Sequence, residues 1–273
     1  VQLSDPAGVR YLPDRASGVG VLILAGSSGR VDAGRARVFA ELGAVAESIQ
    51  WFGGPGQHAG PWEIPLEVFL ERAWSLARGC DRVVVCGTSF GSEAALLAGV
   101  HSPHVDAVIG FSPSDVVWSG TTPDGRVTSH WTLNGTALPF VPFSSSWAPN
   151  TDPPAYVGLY ERSYDEAGAA VGPASIQAEA IGEVLLIAGD DDQVWPSVAQ
   201  AERIVARRQR HGLATTLVRG PGAGHRAVLP GESVPQGGMR MSRGGTEEAD
   251  RALGRAAMPY IRSVLGFTDQ AGL

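Results

Sequence analysis

Five short apolar runs, separated by amphipathic stretches, limit this chain more than any other feature. They are Gly18–Gly26, Ala44–Trp51, Arg82–Gly87, Val105–Ser112 and Glu183–Gly189, with a weaker sixth at Ala214–Gly220. Most are near-continuous in Val, Ile, Leu and Ala rather than alternating, which is how strands covered on both faces read. Helical patterns fall between them, at Asp32–Leu42, Ile64–Leu76, Ser89–Val100, Pro196–His211 and Thr246–Leu265. Gly212 is a stop signal for the fourth, and Thr246 is a candidate N-cap for the fifth. Strands alternating with helices predict an α/β fold, a mostly parallel central sheet with helices on both faces. Two regions break the rhythm. Residues 112–177, rich in Pro, Trp, Phe and Ser, read as an irregular cap or insertion between consecutive strands, and Ala227–Gly245 reads as a Gly/Pro-rich loop. With no internal repeat and no linker, the 273 residues are expected to form one domain, 1–273.

The third run leads into Gly87-Thr88-Ser89-Phe90-Gly91, a match to G-x-S-x-G. With this much glycine, roughly 0.4 such matches arise by chance per chain, so the letters alone decide nothing. Their context does. A nucleophile elbow needs a strand, a tight turn with Ser at its tip, and a helix. Here "RVVVC" precedes the motif and "SEAALLAG" follows it. The elbow predicts an acid after a later strand and a His after the last one, the chain order of the α/β-hydrolase fold. Asp190, Asp191 and Asp192 follow "EVLLIAG", and His225 follows "ATTLVRG" in "PGAGH". Asp192 is the preferred acid, because the spacing of Gly189, Asp192 and Pro196 resembles the G-x-x-D-x-x-x-P pattern common in α/β-hydrolases; Asp191 is the runner-up and Asp190 third. The oxyanion donors expected are the backbone N–H of Phe90, at the helix start, and that of Ser27 or Ser28 in the loop "GSSGR" after the first strand. The remaining histidines, His58, His101, His104, His130 and His211, fall outside the base slot.

Composition removes other classes. The net charge of −7 gives no basic surface on average, so nucleic acid is not an expected partner. Every one of the 21 basic residues is arginine, which excludes Schiff-base lysine chemistry. Cys80 and Cys86 form neither a disulfide framework nor a zinc motif, and no H-x-x-H spacing occurs, so no metal and no cofactor are expected. No apolar run reaches the length of a membrane span, no signal peptide is seen, and a cytoplasmic location is the expectation.

Several blocks together resemble one family. They are "VLILAGSSGR", "WFGGPG" followed by "IPLEVFLERAWSL", "VCGTSFGSEAALLAG", "SHWTLNGTALPFVP", "VLLIAGDDDQVWPS", "GPGAGH" and "GGTEEADRALGRAAMPYIRSVLGF". In these the chain resembles the C-terminal catalytic domain of the acyl-CoA thioesterase and bile acid-CoA:amino acid N-acyltransferase family, α/β-hydrolases related to dienelactone hydrolase. The resemblance covers about residues 18–267 and implies a Ser/Cys–Asp–His triad acting on acyl thioesters. That triad maps onto Ser89, Asp192 and His225. Larger members carry an N-terminal β-sandwich domain that this sequence does not contain. The amino-acid-conjugating members use Cys where this chain has Ser89, which tilts the expectation toward hydrolysis.

The sequence therefore points to a serine hydrolase for acyl-CoA or carrier-protein-bound acyl groups, with a small-molecule acyl thioester or ester as substrate. A carboxylesterase, a lactonase or an acyl-transferring or cyclising enzyme would use the same three residues, and a non-catalytic binding protein of the same fold is the remaining alternative. Trp118, Trp131, Phe140, Phe143, Trp147 and Trp195 are candidates for an apolar acyl pocket. Arg30 and Arg226 flank the proposed site and are candidates to meet an anionic group.

Overall fold

All the apolar runs pair into one sheet. The computed structural model describes residues 1–234 and 238–267. The chain order is β1 (Gln2–Ser4), β2 (Ala7–Tyr11), β3 (Val19–Leu24), α1 (Ala33–Glu41), β4 (Val45–Ile49), β5 (Ile64–Pro65), α2 (Glu67–Ala77), β6 (Arg82–Thr88), α3 (Phe90–His101) and β7 (Ala107–Phe111). Then come β8 (Ser119–Thr121), β9 (Val127–Ser129), β10 (Trp131–Leu133), β11 (Thr136–Ala137), α4 (Val157–Ala167), α5 (Val171–Ala174), β12 (Glu183–Gly189), α6 (Ser197–Arg210), β13 (Thr216–Gly220) and α7 (Glu247–Val264). Eight strands form the main sheet in the order β1-β2-β4-β3-β6-β7-β12-β13. The pairs from β4 to β13 are parallel, with Ile23 opposite Cys86, Cys86 opposite Ile109 and Ile187 opposite Val218. β1 and β2 add an antiparallel edge.

The near-continuous apolar character has a direct cause. Side chains alternate faces along a strand, and both faces are buried. Leu22, Leu24, Val83, Val85, Val108 and Leu186 face α2, α3 and α6, in a core with Phe69, Ala94, Leu97 and Ile204. Val21, Ile23, Val84, Cys86, Ile109 and Ile187 face α1 and α7, in a core with Phe39, Leu253, Ala257 and Ile261. Caps fix the helices on that second face. Asp32 accepts from the Arg35 N–H and Thr246 from the Ala249 N–H, as the sequence predicts for Thr246.

Three expectations need correcting. The helix predicted over Ile64–Leu76 begins at Glu67, because Ile64–Pro65 pairs in parallel with Trp131–Thr132. The strands β1 and β2 were not anticipated: at three and five residues they carry too little apolar character to register. Residues 112–177 are not wholly irregular, since they hold β8–β11 and the helices α4 and α5. α4 lacks a capping side chain and buries only Tyr160 and Ser163, so its sequence offers little periodic signal. Within the Ala227–Gly245 loop, residues 235–237 lie outside the described residues.

Candidate active site

Ser89 sits between the last residue of β6 and the first of α3, with φ 59° and ψ −126°. Such a left-handed backbone costs a non-glycine residue about 1–3 kcal/mol and persists only where the surroundings over-determine it. Its neighbours do so. A Cβ on Gly87 would lie 1.9 Å from the Gly91 carbonyl oxygen, and one on Gly91 would lie 2.2 Å from that of Ala25. Both glycines of the motif are therefore required by close approach of strand, helix and β3. The Ser89 N–H donates to the Phe111 carbonyl at 2.9 Å, and the Ser89 carbonyl accepts from Ser92 and Glu93 N–H groups to start the helix. The first N–H groups of a helix have no intrahelical acceptor, which leaves that of Phe90 beside the serine.

The loop after β3 presses on the same point. The Cβ position of Gly26 lies 3.1 Å from Ser89 Cβ and 3.7 Å from its Oγ. A turn closed by the Gly29 N–H on the Gly26 carbonyl (2.9 Å) then carries Ser27 and Ser28, both exposed, past the serine. Of the two, Ser27 is bonded directly to the residue in contact.

The three aspartates after β12 have three different sets of partners. Asp190 pairs with Arg219. Asp191 accepts from the Gln193 side chain and the Gly245 N–H, and is exposed. Asp192 is buried; its Oδ1 accepts from the N–H groups of Val194 (2.8 Å) and Trp195 (3.3 Å), and its Oδ2 lies 2.7 Å from His225 Nδ1. With Nδ1–H donating to the carboxylate, Nε2 is left as the acceptor end of the ring. The His225 N–H donates to the Arg243 carbonyl and the His225 carbonyl accepts from Ser112 Oγ at 3.0 Å.

Ser112 and Trp195 tie these parts together, and the sequence singled out only the second. Ser112, also at positive φ (44°), donates its N–H to the Ile187 carbonyl and accepts from Trp195 Nε1 at 3.1 Å. The Trp195 ring meets His225 and Phe90 edge-on, with centroids 5.8 and 5.3 Å apart. One indole thus touches both the histidine and the residue after Ser89.

Trp118 and Trp131 are fully buried, and their indole N–H groups are taken by Ser114 and Glu93. Trp118 stacks with Phe143 and meets Tyr160 edge-on, and Tyr160 in turn meets Trp195. Phe140 packs half-buried against the same core, whereas Trp147 lines a shallow cleft with Glu161, Arg162, Asp165 and Glu166. Glu93, on α3, accepts from the Trp131 indole at 2.6 Å and the Trp118 N–H at 3.1 Å, and burial raises its carboxyl well above the usual range. His130, set aside on sequence grounds, stacks on Phe90 with centroids 4.0 Å apart, and burial pushes its imidazole down to about 4.

Arg30 is exposed, and Arg226 and Arg243 are half-buried beside it. One Nη of each of the last two lies within reach of a single point, the Cβ position of Gly238, at 3.4 and 3.3 Å. Burial and then the charges of Arg243 and Arg30 push Arg226 down to about 10. Among the described residues, no group of His, Cys, Asp and Glu is arranged to hold a metal ion, and no helix is long and apolar enough to cross a membrane.

Sheet order, elbow and loop positions define an α/β-hydrolase. Residues 79–232, more than half the chain, match the family described as BAAT / Acyl-CoA thioester hydrolase C terminal, and the chain belongs to that family. Among solved structures it is similar to the thermophilic esterase Est2 of the Planctomycetes species Thermogutta terrifontis in its butyrate-bound form. That match has 17% identity, covers 97% of this chain and 91% of that one, and has a TM-score of 0.53. The acylaminoacyl peptidase of Pyrococcus horikoshii matches at 11% identity, 98% of this chain, 40% of that one and TM-score 0.57. A lipase in its open form matches at 13%, 95%, 94% and 0.57 in the same order. At these identities the likeness is one of fold. No curated protein sequence is detectably similar to the chain.

Proposed function

We propose that the protein is a serine hydrolase of acyl thioesters, acyl-CoA or carrier-bound, in which Ser89, His225 and Asp192 form the catalytic triad. Nε2 of His225 takes the Ser89 proton as Oγ attacks the acyl carbonyl carbon. The oxyanion is held by the N–H of Phe90 and that of Ser27 or Ser28. The tetrahedral intermediate collapses, the C–S bond breaks, and His225 returns the proton to the departing thiolate. Water, deprotonated by His225, then attacks the acyl-Ser89 ester, and the carboxylic acid leaves as Ser89 recovers its proton. Asp192 keeps Nδ1 protonated and steadies the imidazolium that forms in each step.

The observation that carries the reading is the 2.7 Å contact of His225 Nδ1 with a buried Asp192, in a site built against a strained Ser89. The thioester follows from the family. A serine rather than a cysteine at position 89 favours water over an amine as acceptor. The cluster of Arg30, Arg226 and Arg243 beside His225 supports a substrate with an anionic portion, which acyl-CoA has and a simple ester lacks.

Thiol release from acyl-CoA of graded chain length tests the reading. Release that depends on Ser89 is expected; release equal to that of Ser89→Ala at every length would sink it. The mass of the product separates hydrolysis from transfer or cyclisation, since only hydrolysis gives the free acid. Labelling of Ser89 by a fluorophosphonate distinguishes an enzyme from a binding protein of the same fold.

A further inference from the structure

Arg35, in the first turn of α1, is an unusual residue to bury. It is 5% exposed, and its guanidinium reaches four partners on three segments of the chain. Nε and Nη2 grip Glu232 in a fork, at 2.6 and 3.0 Å. Nη1 donates to Thr88 Oγ1 at 2.7 Å, and Nη2 also donates to the Ala227 carbonyl at 2.9 Å. The guanidinium plane lies 4.1 Å from the centroid of the Phe111 ring.

Those partners all lie on segments that carry or brace the proposed reacting groups. Thr88 precedes Ser89. Phe111 supplies the carbonyl that takes the Ser89 N–H. Ala227 is two residues after His225. Glu232 closes the end of the His225 loop by accepting the Leu229 N–H at 2.9 Å. Arg35 itself is anchored, since its N–H caps on Asp32 (3.1 Å), whose own N–H donates to Ser48 Oγ at 2.8 Å. One side chain therefore braces the strand end that presents the nucleophile against the loop that presents the base.

From this arrangement we infer that Arg35, with Glu232, is a positioning residue that sets the separation of Ser89 Oγ and His225 Nε2. The inference rests on the serine-hydrolase reading above. It is separable from a role in stability. A buried ion pair replaced whole by neutral side chains often costs little stability, whereas removing one partner strands the other charge. A brace lost in the same double replacement is not regained. Only the planar fork spans Glu232, Thr88 and Ala227 at once, so Lys, a point donor, cannot reproduce it.

The test uses the full chain and the second-order rate at which a fluorophosphonate labels Ser89, which needs no knowledge of the acyl group. Wild type, Arg35→Lys, Arg35→Met, and the double variant Arg35→Met with Glu232→Gln are compared by labelling rate, labelled fraction and thermal midpoint. A misplacement of about 1 Å between reacting groups costs on the order of 100-fold. The double variant is expected to unfold near the wild-type midpoint and label to completion, but about 10- to 100-fold more slowly. Its rate should also depend less steeply on pH, because His225 no longer assists. Arg35→Lys should be slowed in the same direction. A double variant that labels at the wild-type rate would overturn the inference, as would one whose loss lies wholly in the labelled fraction. Wild type that fails to label at Ser89 would overturn the hydrolase reading itself, and this inference with it.

Discussion

Nδ1 of His225 stands 2.7 Å from Oδ2 of Asp192, and each partner is pinned from behind. The other carboxylate oxygen of Asp192 is held by two backbone N–H groups, and the His225 backbone is held by Arg243 and Ser112. A carboxylate fixed this way dictates which ring nitrogen carries the proton. Asp192→Asn offers an amide that can present N–H to the ring and favour the wrong tautomer. It should lower kcat by roughly 1,000- to 10,000-fold with little change in the thermal midpoint. Asp191→Asn, at an exposed carboxylate that accepts from Gln193 and Gly245, should stay within about tenfold of wild type. Steady-state kinetics of the two variants side by side decide which acid acts.

Ser89 at φ 59° makes a second prediction, in which stability and activity move apart. Glycine adopts this backbone without the steric cost that serine bears. Ser89→Gly should therefore abolish hydrolysis yet raise stability by about 1 kcal/mol, the lower end of what such strain costs. Urea unfolding of Ser89→Gly against Ser89→Ala reads it, because alanine keeps the strain and glycine relieves it. Equal midpoints for the two variants would argue against a strained elbow.

The turn at Ser89 and the loops that bring Asp192 and His225 together were legible because each depends on local rules. Strand runs, glycines at close approaches and the spacing from Gly189 to Pro196 are all written within a few residues. What stayed illegible depends on contacts between distant segments. Nothing near Arg35 in the sequence hints that it meets Glu232, 197 positions away. Ser112 looked like the start of an insertion, and its three hydrogen bonds to Ile187, Trp195 and His225 come from the crossing of separate loops. Nothing in the sequence around Glu93 marks that the segments carrying Trp118 and Trp131 fold onto it. Ile64–Pro65 continued an apolar stripe into a helix, and only its pairing with β10 made it a strand.

His130 carries a pH prediction. Burial lowers its imidazole from 6.5 to about 4, so the folded chain refuses a proton that the unfolded chain accepts between those values. The unfolded state binds more protons in that window, and folding stability falls as the pH falls through it. The contribution present above about pH 6.5 is lost by about pH 4, a loss on the order of 3 kcal/mol. His130→Phe keeps the stack on Phe90 and removes the titrating group. It forfeits the contact with the Trp118 carbonyl, a loss that does not vary over this pH range. Urea unfolding at pH 7 and pH 4.5 should show a smaller pH-dependent drop for the variant than for wild type. An identical drop would mean that His130 takes up its proton in the folded chain.

The arginine cluster beside His225 carries a prediction about substrate charge. Burial, then the charges of Arg243 and Arg30, push Arg226 down to about 10, with the Asp250 carboxylate acting the other way. An anionic group placed against it would relieve that repulsion, and a neutral acyl ester would gain nothing from it. Replacing Arg226 with Gln keeps a polar chain and removes one charge. For an acyl-CoA substrate, KM should rise by about 5- to 30-fold, the effect of losing about 1–2 kcal/mol of charge-assisted binding. For p-nitrophenyl butyrate the change in KM should be several-fold smaller. Added salt should weaken acyl-CoA binding to wild type more than to the variant, because screening acts on the charge the variant no longer has. Equal KM changes for the two substrates would place the anionic portion of the substrate elsewhere. Arg226 would then serve the fold of the His225 loop and not the choice of substrate.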